Sequence, residues 1–315
     1  MPLPPIHPPL INSSNPWATT PEDLQHLFDC PHTGAVTTRT SLLQAFDHNP
    51  AIHQHTFFNP HSHSLKPSDV SDGEVPADYS SSLNTLGYSP IPLSAYLAMI
   101  PKVTQNSTLP SEERASKPFI LSVTGSPAEV RTCYHLIQTA QTSIQNPLCM
   151  EINLSCPNIP GKPPPAYSGA ALSEYLRVLA GELGKPVEGG RRVAMGIKTP
   201  PFTYLEQFRT LVEALLVGGG GGEGIPAIDS ATGEGIGGMA GSALHPLASG
   251  NVRMIRRMLD EHEEFRGVDV IGVGGVGGKG GYQRMRAVGA KVVGVGTALG
   301  REGVGVFGRI LQAEE

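Results

Sequence analysis

The sequence predicts a (β/α)8 barrel, in which parallel strands alternate with helices around a closed ring. Apolar segments typical of strands alternate with amphipathic segments typical of helices along most of the 315 residues. The strand segments are nearly continuous apolar runs, as expected for a parallel sheet with both faces covered. Polar or glycine residues follow several of these runs, where a barrel places its active site.

The strand segments are recognisable from their composition. Residues 34–39, Gly-Ala-Val-Thr-Thr-Arg, are rich in β-branched side chains, which favour strands. Residues 193–198 form an apolar run that ends in a lysine. The seven predicted strand segments are 8–13, 34–39, 119–124, 148–154, 193–198, 268–273 and 291–296.

Helix signals lie between these strands. Thr20 precedes Pro21 and two acidic residues, which is typical of a capped helix start. Ser126, Pro127 and Glu129 give the same kind of signal before a helix that reaches about residue 145. Further helices are predicted at 170–183, at about 203–216, and after the last strand.

Composition excludes several classes of function. The net charge is −5 without a basic block, so nucleic acid is not an expected partner. No apolar run is long enough to span a bilayer, and residues 1–9 lack the pattern of a signal peptide. The four cysteines have neither disulfide-like nor metal-like spacing, which favours a reducing cytoplasm. We expect a single barrel domain over residues 1–315 and no bound metal.

Two stretches depart from the alternating pattern. Residues at about 54–83 form a long polar insert, predicted to be a surface excursion or a lid, whose histidines are expected to be solvated. Residues 218–224 are almost all glycine and occupy the place of the sixth barrel strand. We therefore expect the sixth strand to be missing or degenerate, unless residues 212–217 leave the preceding helix to replace it.

Cys156 carries the most specific chemical signal. It follows the apolar segment 150–154 and precedes a loop in which residues 159–165 contain four prolines. A thiol at the end of a buried strand can act as a base or a nucleophile, although a lone cysteine is often only a small buried side chain. The amides of Asn153 and Asn158 on either side favour a binding site.

Glycine turns follow the last two predicted strands. Residues 272–277 contain the pattern GxGxxG, but the acidic residue that a Rossmann domain needs about twenty positions later is absent. The alternatives are tight turns alone or a barrel phosphate site built by two successive strand ends. In that phosphate site, Gly274 and Gly275 would act with Gly296 and Thr297.

Lys198 ends its strand at the predicted barrel mouth. Its ammonium group would stabilise an anion there, for instance a reduced flavin, or would lie on the rim as a solvated lysine. The neighbouring thiol and phosphate-site signals favour a functional role.

These motifs together resemble the family 1 dihydroorotate dehydrogenases, closest to the soluble class 1A enzymes. The resemblance covers nearly the whole chain and is strongest at residues 153–163, Asn-Leu-Ser-Cys-Pro-Asn-Ile-Pro-Gly-Lys-Pro. Weaker matches are 84–88, 196–201, 237–241, 274–275 and 296–299. It implies an FMN-binding barrel that oxidises (S)-dihydroorotate to orotate in pyrimidine biosynthesis. It also implies a cytoplasmic homodimer with fumarate as electron acceptor.

The resemblance also assigns roles to residues. Cys156 would be the base that removes the C5 proton, while the C6 hydride passes to FMN. The substrate would be bound by Asn84, Thr85, Leu86, Gly87, Tyr88, Asn153 and Asn158. FMN would be bound by Ser14, Arg39, Thr40, Asn153, Lys198, Gly241, Gly274, Gly275, Gly296 and Thr297.

Two departures from the class 1A pattern leave other functions open. Position 39 is arginine where the class has lysine, which keeps a cation but changes its shape. The class also has a sixth strand that ends in Asn-Ser or Asn-Thr, and this sequence has neither at 218–224. The alternatives are therefore a catalytically impaired remnant of the family, or another FMN barrel oxidoreductase with a different substrate.

Overall fold

A computed structural model describes residues 3–67, 69–156, 164–183, 185–187, 191–217 and 238–312. These residues contain strands β1 (Leu10–Asn12), β2 (Val36–Thr37), β3 (His55–Phe58), β4 (Ser81–Asn84), β5 (Phe119–Val123), β6 (Leu148–Asn153), β7 (Ala194–Lys198), β8 (Gly238–Gly241), β9 (Ile271–Val273) and β10 (Val292–Val295). The helices are α1 (Pro21–Asp29), α2 (Leu93–Asn106), α3 (Ser111–Ser116), α4 (Pro127–Gln141), α5 (Gly169–Leu183), α6 (Leu205–Val217), α7 (His245–Asp260), α8 (Lys279–Ala287), α9 (Thr297–Glu302) and α10 (Gly305–Leu311). In the described part of the chain, none of these helices has the length and apolar character needed to span a membrane.

Seven strands run parallel in two ladders. One ladder has the order β9, β10, β1, and the other has the order β2, β5, β6, β7. Each of the seven strand segments predicted from the sequence contains one of these parallel strands. The alternation of strand and helix that predicted them is confirmed.

The side-chain amide of Asn12 joins the two ladders. Asn12 lies at the end of β1 and is fully buried. Its Nδ2 donates to the carbonyl of Thr37 at 2.6 Å, and its Oδ1 accepts from the Thr37 N–H at 2.9 Å. The N–H of Gly34 also donates to the carbonyl of Leu10 at 2.8 Å. The Asn12 side chain therefore takes the place of backbone hydrogen bonds between β1 and β2. It joins the two ladders in the order β9, β10, β1, β2, β5, β6, β7.

The inner side of the seven parallel strands has an apolar layer near their amino ends. Each of the seven parallel strands supplies one residue to this layer, either from within the strand or from the position next to it, as expected for a filled barrel interior. Its members are Ile6, Ile11, Ala35, Ile120, Cys149, Ala194 and Val292, with Ile271 packed against them. Because side chains alternate along a strand, Glu151 and Asn153 point to the same side as Cys149. Above the apolar layer, the interior therefore becomes polar.

A second and larger core lies between the strands and the helices. It contains the alternate residues of the strands, such as Met150 and Ile152 of β6, together with the apolar faces of α1, α2, α4 and α5. Thr20 and Ser126 form the predicted N-terminal caps of α1 and α4, and both complete a capping box.

The buried ammonium of Lys117 stabilises the opposite end of α1. It donates to the carbonyls of Phe28 at 2.7 Å and Cys30 at 2.8 Å, and to the hydroxyl of Thr33 at 2.8 Å. Burial lowers the pKa of Lys117 to about 8. Even so, a cation at the C-terminal end of a helix satisfies carbonyls that have no partner within the helix.

A separate antiparallel sheet contains strands that sequence patterns did not indicate. Its order is β3, β4, β8, so part of the insert at 54–83 pairs with residues 238–241. In the insert, Asp72 accepts from the His55 ring at 2.6 Å and pairs with Lys66 at 3.1 Å. Residues 212–217 belong to α6 and do not form a strand. The predicted loss of the sixth strand falls on residues 218–224, which lie outside the described residues.

Replacing Asn12 by alanine is expected to destabilise the fold by about 2–4 kcal/mol, since it leaves a buried N–H and a buried carbonyl without partners. Equilibrium unfolding in urea measures the change. Asn106→Ala, at an exposed position at the end of α2, serves as the control and should stay within about 0.5 kcal/mol of the parent protein. Equal effects of the two substitutions would show that the amide bridge is not important for stability.

Candidate active site at the carboxyl ends of the strands

The carboxyl ends of β6 and β7 bring three predicted site residues together. Asn153 and Lys198 are paired across the two strands. The N–H of Leu154 donates to the carbonyl of Lys198 at 3.0 Å and extends the pairing by one residue. Cys156 follows only three residues after Asn153 and is partly exposed. A thiol, an amide and an ammonium group therefore lie at one end of the barrel.

A β-bulge after β2 directs Thr40 into the barrel. Thr37 is paired with Ile120, and Ser41 with Val123. Between these two pairs, the segment that follows β2 advances by four residues while β5 advances by three. The segment after β2 therefore contains one extra residue. The bulge brings the Thr40 hydroxyl within 2.9 Å of the Ser122 hydroxyl on the neighbouring strand β5.

Thr40 is the centre of a buried hydrogen-bond network. Its Oγ1 accepts from Nδ2 of Asn153 at 2.8 Å and lies 2.8 Å from the hydroxyl of Ser14. The Ser122 hydroxyl in turn donates to Oε1 of Glu151 at 2.7 Å. Ser14, Thr40 and Asn153 were predicted as site residues, and the structure places them in contact.

The amide of Asn153 is held on both sides. Its Oδ1 accepts from the N–H of Ser155 at 3.0 Å and from the hydroxyl of Ser155 at 2.6 Å. The hydroxyl of Thr124 donates to the backbone carbonyl of Asn153 at 3.0 Å. Asn153 therefore fixes the turn that leads to Cys156.

Arg39 is a buried cation beside this turn. It is 8 % exposed, and its Nη2 donates to the carbonyl of Leu86 at 3.2 Å. Burial lowers the pKa of Arg39, while interactions with Tyr96 and Cys156 act in the opposite direction. Among the described residues, its guanidinium has no carboxylate partner. A buried cation without a counter-charge favours an anionic ligand.

Tyr88 approaches Cys156 from the loop after β4. Its hydroxyl interacts with the side chains of Thr124 and Cys156, and its ring meets Phe46 edge-on at 5.7 Å. Burial and then the interaction with Cys156 raise the pKa of Tyr88. The phenol therefore remains protonated and can donate a hydrogen bond towards the thiol.

The other residues of the predicted segment 84–88 have structural contacts. The side chain of Asn84 donates to the carbonyl of Gly238 at 3.2 Å. The hydroxyl of Thr85 donates to the carbonyl of Ile52 at 2.7 Å. Gly87 has φ of +61°, and a Cβ there would lie 2.5 Å from the ring of Phe46. Asn158, predicted from the same pattern as Asn153, lies outside the described residues.

The predicted phosphate residues form a second group beside the first. Gly274 and Gly275 have φ of +142° and +65°, values that favour glycine. A Cβ on Gly275 would lie 2.5 Å from the carbonyl oxygen of Gly241, so these two residues touch. Gly296 and Thr297 follow β10, next to β9 in the ladder. The structure therefore places all five residues at neighbouring strand ends.

Several supporting residues were not indicated by sequence patterns. His245 uses Nδ1 to donate to the carbonyl of Gly274 at 2.9 Å, and its Nε2 accepts from Nε of Arg284 at 3.2 Å. The hydroxyl of Ser82 lies 2.9 Å from that of Thr297. Glu151 could have been noticed, because it is the one charged residue of the otherwise apolar segment 148–152.

The fold and these side chains define a barrel enzyme with its site at the carboxyl ends of the strands. A family model described as dihydroorotate dehydrogenase matches residues 73–314, more than half of the chain. The chain therefore belongs to the dihydroorotate dehydrogenase family, whose members are oxidoreductases.

Related proteins agree with this membership. The dihydroorotate dehydrogenase A (fumarate) of Lactococcus lactis subsp. lactis is 28% identical over 327 residues, covering 98% of this chain and 89% of that protein. The dihydroorotate dehydrogenase (fumarate) of Trypanosoma cruzi is 30% identical over 212 residues, covering 62% of each. The crystal structure of ligand-free DHODH from Eimeria tenella is 17% identical, with a TM-score of 0.70 over 97% of this chain and 82% of that chain. The structural likeness confirms the predicted barrel fold.

Gly275→Ala is expected to be more destabilising than Gly303→Ala. Both glycines have φ of +65°, which costs an alanine about 1–2 kcal/mol. At Gly303 a Cβ would meet nothing within 4 Å, whereas at Gly275 it would collide with Gly241 and His245. The collision should add about 1–3 kcal/mol. Urea unfolding of the two variants measures the difference, and equal losses would refute the close packing of the loop after β9.

Proposed function

We propose that this protein oxidises (S)-dihydroorotate to orotate with FMN as its bound cofactor, as part of pyrimidine biosynthesis. The proposal is carried by one observation within a member of the dihydroorotate dehydrogenase family: Asn153, Cys156 and Lys198 converge at the barrel mouth. The relatives from Lactococcus lactis and Trypanosoma cruzi are named dihydroorotate dehydrogenases, which supports dihydroorotate as the substrate.

The residues at the mouth fit a flavin nucleotide. The family is flavin-dependent in general. Gly274 and Gly275 have positive φ after β9, and Thr297 follows the neighbouring strand β10, an arrangement that suits a phosphate group. The ammonium group of Lys198 has no hydrogen-bond or ion-pair partner in the described part of the chain. It would hold the negative charge of the reduced flavin ring.

Arg39 would bind the carboxylate of the substrate. Its guanidinium is buried beside Cys156 and has one side-chain hydrogen bond, to Leu86, among the described residues. A carboxylate would supply the counter-charge through a charge-assisted and often bidentate pair. Asn84, Asn153 and Asn158 would orient the planar ring through their amides, with Thr85, Leu86, Gly87 and Tyr88 along its edge.

Cys156 would act as the general base. Its Sγ would take the proton from C5 of dihydroorotate, which is acidic because it lies next to a carbonyl. Tyr88 would donate to the thiolate and hold it in place. When bound, FMN would accept the hydride from C6. Fumarate would be the final electron acceptor, as the names of the relatives suggest.

Three further features follow from the resemblance to class 1A enzymes. We propose that residues 1–315 form one barrel domain, that the protein works in the cytoplasm, and that it is a homodimer. The relatives named as fumarate enzymes support the small-molecule acceptor.

Anaerobic addition of dihydroorotate should bleach the visible absorption of the flavin and yield orotate. Cys156→Ala should retain flavin but slow this bleaching by about 10²–10⁴-fold, because general base catalysis is lost. Cys133→Ala, at a buried thiol in α4, provides the matched control and should bleach at the parental rate. A yellow parent protein that dihydroorotate does not bleach would contradict the proposed substrate and leave the other flavin oxidoreductase or the impaired remnant.

A further inference from the structure

A carboxylate inside the barrel lies beneath the candidate site. Glu151 is on β6, two residues before Asn153 and two after Cys149, so its side chain points into the barrel above the apolar layer. It has no ion-pair partner among the described residues. The residue paired with it across the strands is Gly196, where a Cβ would meet nothing within 4 Å. A charged group in this position needs a reason beyond packing.

We propose that Glu151 is a positioning residue for Cys156, acting through a directed chain of hydrogen bonds. The chain runs from Thr40 to Ser122 and then to Glu151, and its other end is the amide of Asn153. This inference rests on the proposed function, since it assigns a task to a group that serves the same site.

The donors at Asn153 fix one end of the chain. The N–H of Ser155 can only donate, so Oδ1 of Asn153 must face it and Nδ2 must face Thr40. The Thr40 hydroxyl must then accept that hydrogen bond.

The carboxylate fixes the other end. The hydroxyl of Ser122 has a single proton, which it donates to Glu151. Ser122 therefore accepts from Thr40, and Thr40 is left with both lone pairs for Asn153 and Ser14. Every hydroxyl in the chain is used in one direction. Thr40 and Ser122 are 5 % and 0 % exposed, so water does not offer them alternative partners.

Glutamine at position 151 has nearly the same shape as glutamate, but it would no longer force the Ser122 hydroxyl to donate towards residue 151. Its amide can donate as well as accept, so Ser122 would be able to donate to Thr40 instead. Ser122, Ser14 and the amide of Asn153 would then be three possible donors to the two lone pairs of Thr40, so the hydrogen bond from Asn153 would weaken and the turn that ends at Cys156 would loosen. Losing a hydrogen bond to a charged group corresponds to about a tenfold effect or more.

The first measurement is flavin reduction by saturating dihydroorotate in a double-mutant cycle. Glu151→Gln and Ser122→Ala should each slow reduction about tenfold, and the double variant should be no slower than either. Glu213→Gln, an exposed glutamate of α6, is the control and should match the parent. Additive losses, or a normal rate for Glu151→Gln, would overturn the proposal.

A second measurement does not depend on the substrate. Cys156 is the one cysteine of the four that is not buried, so iodoacetamide should modify it selectively. In both Glu151→Gln and Ser122→Ala, alkylation should be several times faster than in the parent, because the turn is less ordered. An unchanged alkylation rate in either variant would overturn the role of Glu151, even if dihydroorotate proved not to reduce the parent protein. Failure of the parent reduction alone would count against the proposed function and not against this inference.

Discussion

The arrangement of the barrel mouth depends on the hydrogen bonds between Asn12 and Thr37, which link the two parallel ladders. They connect the β9–β10–β1 ladder to the β2–β5–β6–β7 ladder, where no regular strand pairing does so. The same connection brings Ser14, just after β1, next to Thr40, just after β2. Since a parallel sheet places all its carboxyl ends on one side, the phosphate residues after β9 and β10 and the chemical residues after β6 and β7 share one face.

The mouth combines two kinds of support. Beneath the chemical residues lies a polar layer, in which Glu151, Ser122 and Thr40 are linked by hydrogen bonds. Around the phosphate residues the support is backbone packing, with Gly275 against Gly241 and His245 against Gly274. The antiparallel sheet adds Ser82 to this second group by its contact with Thr297. The insert at 54–83 therefore contributes directly to the site through the strand β4.

Sequence patterns predicted the parallel strands well because each is a local run of apolar or β-branched residues, and they predicted the caps of α1 and α4 because capping is also local. The antiparallel sheet could not be predicted in the same way, because β4 pairs with β8 more than 150 residues later. Cys156, Asn153 and Lys198 were predicted as site residues from their places at strand ends, and the structure brings them to one end of the barrel. The tasks of Glu151 and His245 depend on contacts between distant elements, which the sequence does not display.

The central claim is that this barrel, despite its glycine run at 218–224, holds a flavin at the mouth of its strands. The most direct test is the FMN content of the purified, folded protein, measured by release and fluorescence after incubation with excess FMN and removal of the unbound fraction. The account predicts about one FMN per chain, as expected for a preformed cofactor site. A protein that unfolds cooperatively yet retains no FMN would contradict it.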